Sequence, residues 1–498
     1  MFPGLSALVI DQVLDLEATV RIVARPQPAA AACPECGQLS ERVHAHHERR
    51  LADLPVGGRA VTVQVRVRRL VCAAMSCPRR TFREQVPALT QRWARRTQQL
   101  TSLVADLAVI TAGRSGAAVL ARLGTRISRS TVLRVLMAKP IPAAPVPTVL
   151  SVDDFALRRG RHYATLLLDA VTHRRVDVLP DRKADTLAAW LREHPEVTVV
   201  CRDGSATYAE AIRDGAPQAT QVSDRWHLWN NLGKAVEKTV IAHSGCWQSS
   251  MPSGQRPVDE RTRQRHAAVH QLLGQGVGLL ECARRLGWAL NTVKRYARAE
   301  RAEQLQRPPQ YRETMVDPFR DHLRSRRAHE LGVAVTQLLT EIREQGYTGS
   351  ANLLVRYLNQ GRADADRAAP SPRRLASWLM SHPDKLPAHR RSHLDELLDT
   401  CPHLSILAAR VGAFADLLTA RRSRDLDAWM ASVDNDDLPA LQGFAHGLRM
   451  DLPAVTAGLT LSYSNGPIEG ANTKVKLLKR QMYGRAGFAL LRQRILLA

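Results

Sequence analysis

The sequence holds no uninterrupted apolar run near the roughly 20 residues that a membrane-spanning helix needs, so no membrane partner is expected. Its opening stretch, MFPGLSALVIDQVLDLEATV, has no basic segment ahead of its apolar residues, which argues against a secretory leader. A reducing, cytoplasmic setting is the expectation. Negative charge is scarce. Lys plus Arg number 71 against 47 for Asp plus Glu, a formal net charge of +24. A solvated surface does not require so large an imbalance, whereas a long polyanion does. Apolar residues make up 45 % of the 498, so the chain is globular and long enough for several domains.

Eight cysteines are present. Cys33-Pro-Glu-Cys36-Gly is a CxxC knuckle, and Cys72 and Cys77 follow the β-like run VTVQVRVRRLVC. Knuckle, strand and second pair stand in the order of a zinc ribbon, so Cys33, Cys36, Cys72 and Cys77 are read as ligands of one structural zinc. His44, His46 and His47 lie between the pairs, where they could substitute as ligands, and are read as exposed or DNA-facing. Cys201, Cys246, Cys282 and Cys401 stand apart and are read as small buried hydrophobes.

Residues 1–90 read as short strands around the ribbon. Residues 91–139 have helical periodicity. A Leu123-Gly124-Thr125 turn and a Ser128-Arg129-Ser130-Thr131 cap give them a helix-turn-helix pattern, with Arg129 and Arg134 as DNA contacts. PIPAAPVP is a proline-rich linker. Residues 147–240 then alternate as three strands, a helix, a strand, a helix, a short strand and a helix start. That order is the order of ribonuclease-H-like nucleases. Residues 241–455 read as a large α-helical insertion with a second helix-turn-helix at about 265–299. There Gly287 marks the turn, Asn291-Thr292 the cap, and Lys294, Arg295 and Arg298 the basic face, with Lys294 and Arg295 as DNA contacts. SGQRPVDERTRQRH before it reads as a tether, and ADADRAAPSPRR as a linker. Residues 456–498 close the core. The fold expected is a multidomain α/β protein, with a zinc ribbon, a helix-turn-helix, and a ribonuclease-H-like core interrupted by the insertion.

Three carboxylates stand out. Asp153 lies in TVLSVDDFAL, Asp203 in VTVVCRDGSATY, and Glu469 in SNGPIEGANTKVKLLKRQMYG. Gathered carboxylates repel, so a fold keeps them together mainly to hold hard divalent cations, here two Mg²⁺ or Mn²⁺. Two such ions suit phosphodiester chemistry. Asp154 adjoins Asp153 on the opposite strand face, and the strand period does not choose between them. Asp169 reads as a strand-end residue. Beyond Glu469, Lys474, Lys476, Lys479 and Arg480 make a basic helix for the nucleic-acid backbone.

These segments resemble the ISL-three (ISL3) family of bacterial insertion-sequence transposases, members of the DDE superfamily. The likeness rests on CPECG with CPRRTF, on SVDDFALRRGRHYATLLLDAVTHRRVDVLPDR, on DGSATYAEA with VSDRWHLWNNL, and on NGPIEGANTKVKLLKRQMYGRAGFALLRQRIL. It implies that Asp153, Asp203 and Glu469 are the catalytic, magnesium-holding triad. Asp224 and His227 form a D-x-x-H pair similar to one in several DDE transposases, read both as a helix cap and as active-site support. VDPFRDHL…EIREQGYTGSANLLVRYL is similar to part of IstA-type transposases and reads as an extra block. The implied activity is DNA transposition. Terminal inverted repeats are bound, strands are cleaved, and the freed 3′-hydroxyl is joined to target DNA. The partners are double-stranded DNA (element ends and target) and further copies of the chain, as a homodimer or higher oligomer. The location implied is cytoplasmic and nucleoid-associated. A non-catalytic DNA-binding regulator would share the charge and the reading heads, but it leaves the placement of the three acids unexplained.

Overall fold

Val61, Val63, Val65 and Val67 are buried, while Thr62, Gln64, Arg66 and Arg68 alternate with them towards the outside. That alternation builds the first sheet of the computed structural model. The structure describes residues 3–498 except 144, 159, 249–259, 306–312, 331 and 365–369. One residue of the proline-rich linker, residues 253–259 of the tether and residues 365–369 of the later linker thus lie outside the described residues. The chain divides into two compact units, residues 1–228, 421–423 and 451–498, and residues 229–420 with 424–450.

In the first unit the strands are β1 (Leu8–Leu16), β2 (Thr19–Pro26), the two-residue β3 (Ala31–Ala32) and β4 (Leu39–Ser40), β5 (Val43–Val56), β6 (Arg59–Val71) and β7 (Thr81–Arg83). The sheet order is β1-β2-β6-β5, with β7 on β6 and β2 parallel to β6. The strands are longer than the sequence led us to expect, with 14 residues in β5 and 13 in β6. β5 runs on through the charged stretch HAHHERR, where His44, His46 and His47 are exposed. β3 and β4 carry the cysteine knuckle beside this sheet.

Helices α1 (Gln98–Arg122) and α2 (Arg129–Ala138) follow. Gly124 makes the turn between them at φ 93°, and an added Cβ would lie 2.4 Å from the Gly58 carbonyl oxygen, so only glycine fits. Ser128 caps α2 by accepting from the Thr131 N–H at 3.2 Å. α1 breaks at Ala112, whose φ is 61°. The carbonyls of Val109 and Ile110 face that break, and the wholly buried Arg494 donates to both, at 2.7 and 2.6 Å. Gln98–Arg122 and Pro402–Ala420 are long and apolar enough to cross a membrane by composition alone. The sequence shows no unbroken run there because charges such as Asp106, Arg114 and Arg410 interrupt both. Each helix buries a stripe in its own unit, Leu100, Val104, Ala108 and Leu120 in one, Leu404, Leu407, Val411, Phe414 and Leu417 in the other.

The second sheet holds β8 (Val149–Arg158), β9 (His162–Asp169), β10 (Arg175–Leu179), β11 (Val199–Arg202) and β12 (Thr220–Ser223) in the order β10-β9-β8-β11-β12. The first three form an antiparallel meander, and β11 runs parallel to both β8 and β12. Helices α3 (Ala184–Arg192) and α4 (Ala206–Gly215) cover one face through Leu150, Val152 and Leu167. α5 (Arg225–Ala242) begins after β12, and α6 (Leu452–Gly458) packs on that strand. α7 (Gly466–Gln481) and α8 (Phe488–Leu497) cover the other face through Phe155, Leu166 and Leu168.

The second unit is helical. Its helices Glu260–Gly274, Leu279–Leu286 and Leu290–Arg298 share a small core around Val269, Cys282, Val293 and Tyr296. Gly287 turns the chain in the left-handed region at φ 65°. The cap differs from expectation. Ala289 is the N-cap, without a side-chain hydrogen bond, and Asn291 and Thr292 lie inside the first turn. The helix therefore starts one residue before the polar pair that suggested its start.

Candidate functional site

Strand β8 separates the two neighbouring acids. Asp154 turns to the α3–α4 face, where its Oδ2 pairs with Arg182 Nη1 at 3.2 Å. Asp153 turns to α7. Its Oδ2 accepts from the Asn472 side-chain amide at 2.6 Å, and its Oδ1 from the Asp154 N–H at 2.8 Å. Burial pushes the Asp153 carboxyl up to about 6, the charges of Asp203 and Asp154 add to the rise, and His227 offsets part of it. A cation beside Asp153 would relieve that cost.

Asp203 directly follows β11. Its Oδ1 accepts from the Ser205 N–H at 3.0 Å, and Arg202 Nη1 donates to its carbonyl at 2.8 Å. Arg202 is 1 % exposed and forms a fork with Asp451 at 2.9 and 2.7 Å. Glu469 is exposed in the first turn of α7, three residues before Asn472 and on the same flank of the helix. Asp153 and Asp203 thus lie within each other's field, with Glu469 one turn from the residue that holds Asp153. Among the described residues, the three carboxylates do not close to within 4.8 Å of one another.

Asp224 and His227 border this site. Asp224 is 2 % exposed and caps α5, accepting from the Trp226 N–H at 3.3 Å. Its other oxygen faces His227 Nε2 at 3.8 Å, too long for a hydrogen bond. Burial raises the Asp224 carboxyl, against the lowering effect of His227 and nearby N–H groups. Asp169 is a turn residue that accepts from the Val171 N–H and the Thr172 N–H at 2.8 and 3.2 Å.

Two further residues of the site carry no motif of their own in the sequence. Asn465 is 1 % exposed and donates to the Val152 carbonyl at 2.9 Å, fixing the start of α7 against β8. Asn472, one turn past Glu469, ties the same helix to β8 through Asp153. The side-chain oxygens of both, like Asp224 Oδ2, are buried without a hydrogen-bond partner, so the site has spare acceptors beside its carboxylates. The helical offset from Glu469 to Asn472 was the available signal.

The knuckle and the second cysteine pair meet. The four sulfurs of Cys33, Cys36, Cys72 and Cys77 lie within 4.8 Å of one another, with Cys33 to Cys77 at 4.0 Å and Cys36 to Cys72 at 3.5 Å. Tetrahedral Zn–S bonds of about 2.3 Å set sulfurs roughly 3.8 Å apart, so this set fits zinc. None is in a disulfide. Gly37 turns the knuckle at φ 71°.

Of the basic residues, Arg129, Arg134, Arg295, Lys474, Lys476 and Arg480 are exposed, and Lys294 is half-buried. Lys479 differs. Its ammonium donates to the Ala156 carbonyl at 2.5 Å, which ties α7 to β8. Lys474 also reaches the Ala498 carbonyl at 3.3 Å.

Two family profiles match the chain. One, described as a transposase, covers residues 150–273 and 349–495. The other, described as the zinc-finger of the transposases of IS204, IS1001, IS1096 and IS1165, covers residues 29–77. Residues 274–348 fall between the two stretches of the first match. The chain is 27 % identical over 228 residues to the transposase for insertion sequence element IS1001 of Bordetella parapertussis, covering 44 % of this chain and 54 % of that protein. It is 28 % identical over 106 residues to a putative transposase for IS5376 of Geobacillus stearothermophilus, covering 21 % and 26 %. A 108-residue stretch is 32 % identical to a Lactococcus lactis protein named an ATP-dependent protease, covering 21 % and 33 %. The matches thus span about half or less of these relatives.

Proposed function

Because the chain belongs to the ISL3 family of DDE transposases, we propose that it acts as the transposase of an insertion sequence, binding the element's terminal inverted repeats and cutting and joining DNA strands. The observation that carries this reading is Asp153, half-buried and tied by Asn472 to the helix of Glu469, with Asp203 close enough to raise its pKa. The strand order β10-β9-β8-β11-β12, with acids on β8 and after β11, supports a ribonuclease-H-like core.

Asp153, Asp203 and Glu469 would hold Mg²⁺ or Mn²⁺, which when bound activates the attacking oxygen and stabilises the leaving oxygen of a phosphodiester. The protein's own part is positional. Asn472 orients Asp153, Ser205 and Arg202 fix the segment of Asp203, and Asn465 sets the start of α7. Asp224 and His227 support Asp153 from the side of α5. Lys476 and Arg480 on the open face of α7 hold the DNA backbone. Cys33, Cys36, Cys72 and Cys77 bind a structural zinc. The ribbon, with α1 and α2, reads the element ends through Arg129 and Arg134. Lys294 and Arg295 contact DNA from the second unit. Two ends must be joined together, so the working form is a homodimer or higher oligomer at the nucleoid.

A transposition assay on DNA flanked by the element's native ends tests this reading. Excision or integration dependent on those ends and on Mg²⁺ supports it. End binding without any strand cleavage would favour a DNA-binding regulator instead.

A further inference from the structure

Cys246 and Cys401 stand 155 residues apart in the sequence, with no spacing that pairs them. Within the second unit they meet. His243 follows the last turn of α5 and donates its N–H to the Thr239 carbonyl at 3.1 Å. The Cys246 N–H donates to the His243 carbonyl at 3.0 Å, which stacks the two residues one turn apart. Far along the chain, Cys401 joins helices Ala388–Thr400 and Pro402–Ala420, accepting from the Leu404 N–H at 2.9 Å. His403 follows it in the first turn.

Ligand atoms of His243, Cys401 and His403 all lie within 4.8 Å of one another. The Cys246 thiol neighbours that of Cys401, which raises its pKa, and it stands just outside the close group of three, so a shift of its exposed side chain brings in the fourth donor. The two imidazoles stack with centroids 4.3 Å apart and planes 20° from parallel. Asp437 Oδ2 lies 3.9 Å from His403 Nε2, where a carboxylate can steady a ligating ring.

We propose that His243, Cys246, Cys401 and His403 form a second zinc site, of the Cys₂His₂ type, that fastens the end of α5 to the corner between the two long helices. Two thiolates and two neutral imidazoles are the soft, four-donor set that zinc takes in closed structural sites. Two thiolates also cancel the charge of Zn²⁺, which suits a corner where Cys401 is fully buried. On binding, both thiols give their protons to solvent. An ordinary apolar interior does not explain the corner, because Cys246 is exposed and both histidines are half-exposed. Cys282 shows the contrast. It is sealed in a small core, where its thiol donates to the Val277 carbonyl at 3.4 Å.

The test is zinc content by elemental analysis of the purified full-length chain, grown without added chelator. The expected result is two zinc per chain, one in the ribbon and one here. The double variant Cys33→Ser/Cys36→Ser should keep one, and His403→Gln or His243→Gln should each also fall to one. After cobalt replacement, the ribbon variant should show the absorption of a two-sulfur site, weaker in thiolate charge transfer than the four-sulfur ribbon. Wild-type protein with one zinc would overturn the proposal. So would a ribbon variant with none, or a Cys246–Cys401 disulfide in the freshly purified chain. The ribbon variant and the wild type decide the matter even if the histidine variants do not fold. The outcome is independent of the catalytic reading, because neither count depends on transposition.

Discussion

The side-chain amide of Asn472 lies 2.6 Å from Asp153 Oδ2, so the helix that carries Glu469 is keyed directly to the strand that carries Asp153. The amide can donate to the carboxylate, while its own oxygen has no partner. Partners that orient metal-holding carboxylates commonly matter by 10–100-fold, on the order of magnitude seen for outer-shell residues. We predict that Asn472→Leu lowers strand cleavage by about that factor and raises the Mg²⁺ concentration needed for half-maximal rate. Asn472→Asp should be worse, because it adds charge beside Asp153. Unchanged metal dependence in Asn472→Leu would show that the contact does not position the acid.

Asp153 makes a pH prediction. Its carboxyl is raised to about 6 in the folded chain from an unfolded value of 3.8. A raised carboxyl means that the folded chain binds the proton more tightly. The charge therefore costs stability at neutral pH, and the cost disappears as pH falls from 6 towards 4. By the free energy of a pKa unit, that cost is roughly 1–3 kcal/mol. Metal-free Asp153→Asn should then melt above metal-free wild type at pH 7.5, and the gap should narrow from pH 6 downwards and close below about pH 3.8. Added Mg²⁺ should stabilise the wild type alone, and less so below pH 6. Thermal melts across that range, with and without the ion, check each sign.

Arg202 supports the segment of Asp203 from beneath. It is 1 % exposed, and its only carboxylate partner in the described residues is Asp451, at 2.7 Å. Asp451→Asn should destabilise the first unit by about 3 kcal/mol or more, because a buried guanidinium loses its counter-charge. Arg202→Leu with Asp451→Leu should cost less than Asp451→Asn alone. Denaturant unfolding of the three variants tests this. Equal losses would mean that solvent, not Asp451, balances the arginine.

The basic helix divides into two roles. Lys476 and Arg480 are exposed, whereas Lys479 holds the Ala156 carbonyl. Contacts to phosphates carry little sequence information. Lys476→Ala/Arg480→Ala should weaken specific and random DNA alike and reduce the salt slope by about 0.9 unit for each lost contact. Lys479→Ala should leave the slope nearly unchanged and lower the melting temperature. Titrations over a salt series separate the two.

Much of the site could be read from residue patterns. Short apolar runs mark the strands of the second sheet, with Asp153 midway along β8 and Asp203 just past β11. Cysteine spacing announced the ribbon, since a knuckle and a distant pair have few other uses. Other contacts had no local signal. Asn472 reaches Asp153 across 319 residues of chain, and Arg202 reaches Asp451 across 249. Lys479 looks like its basic neighbours until the strand beneath it is known. The pairing of Cys246 with Cys401 depends on two helix ends meeting, and no periodicity encodes that.

Asp153, Asp203 and Glu469 are proposed to act together on DNA strands. The most direct measurement is strand transfer in Mg²⁺ by purified Asp153→Ala, Asp203→Ala and Glu469→Ala chains, on a substrate carrying the element's ends, with end binding measured alongside. We predict that each variant binds ends nearly as the wild type does and neither cleaves nor joins them. Glu469 decides most, because it is the exposed member of the three. Full strand transfer by Glu469→Ala would contradict the three-acid account.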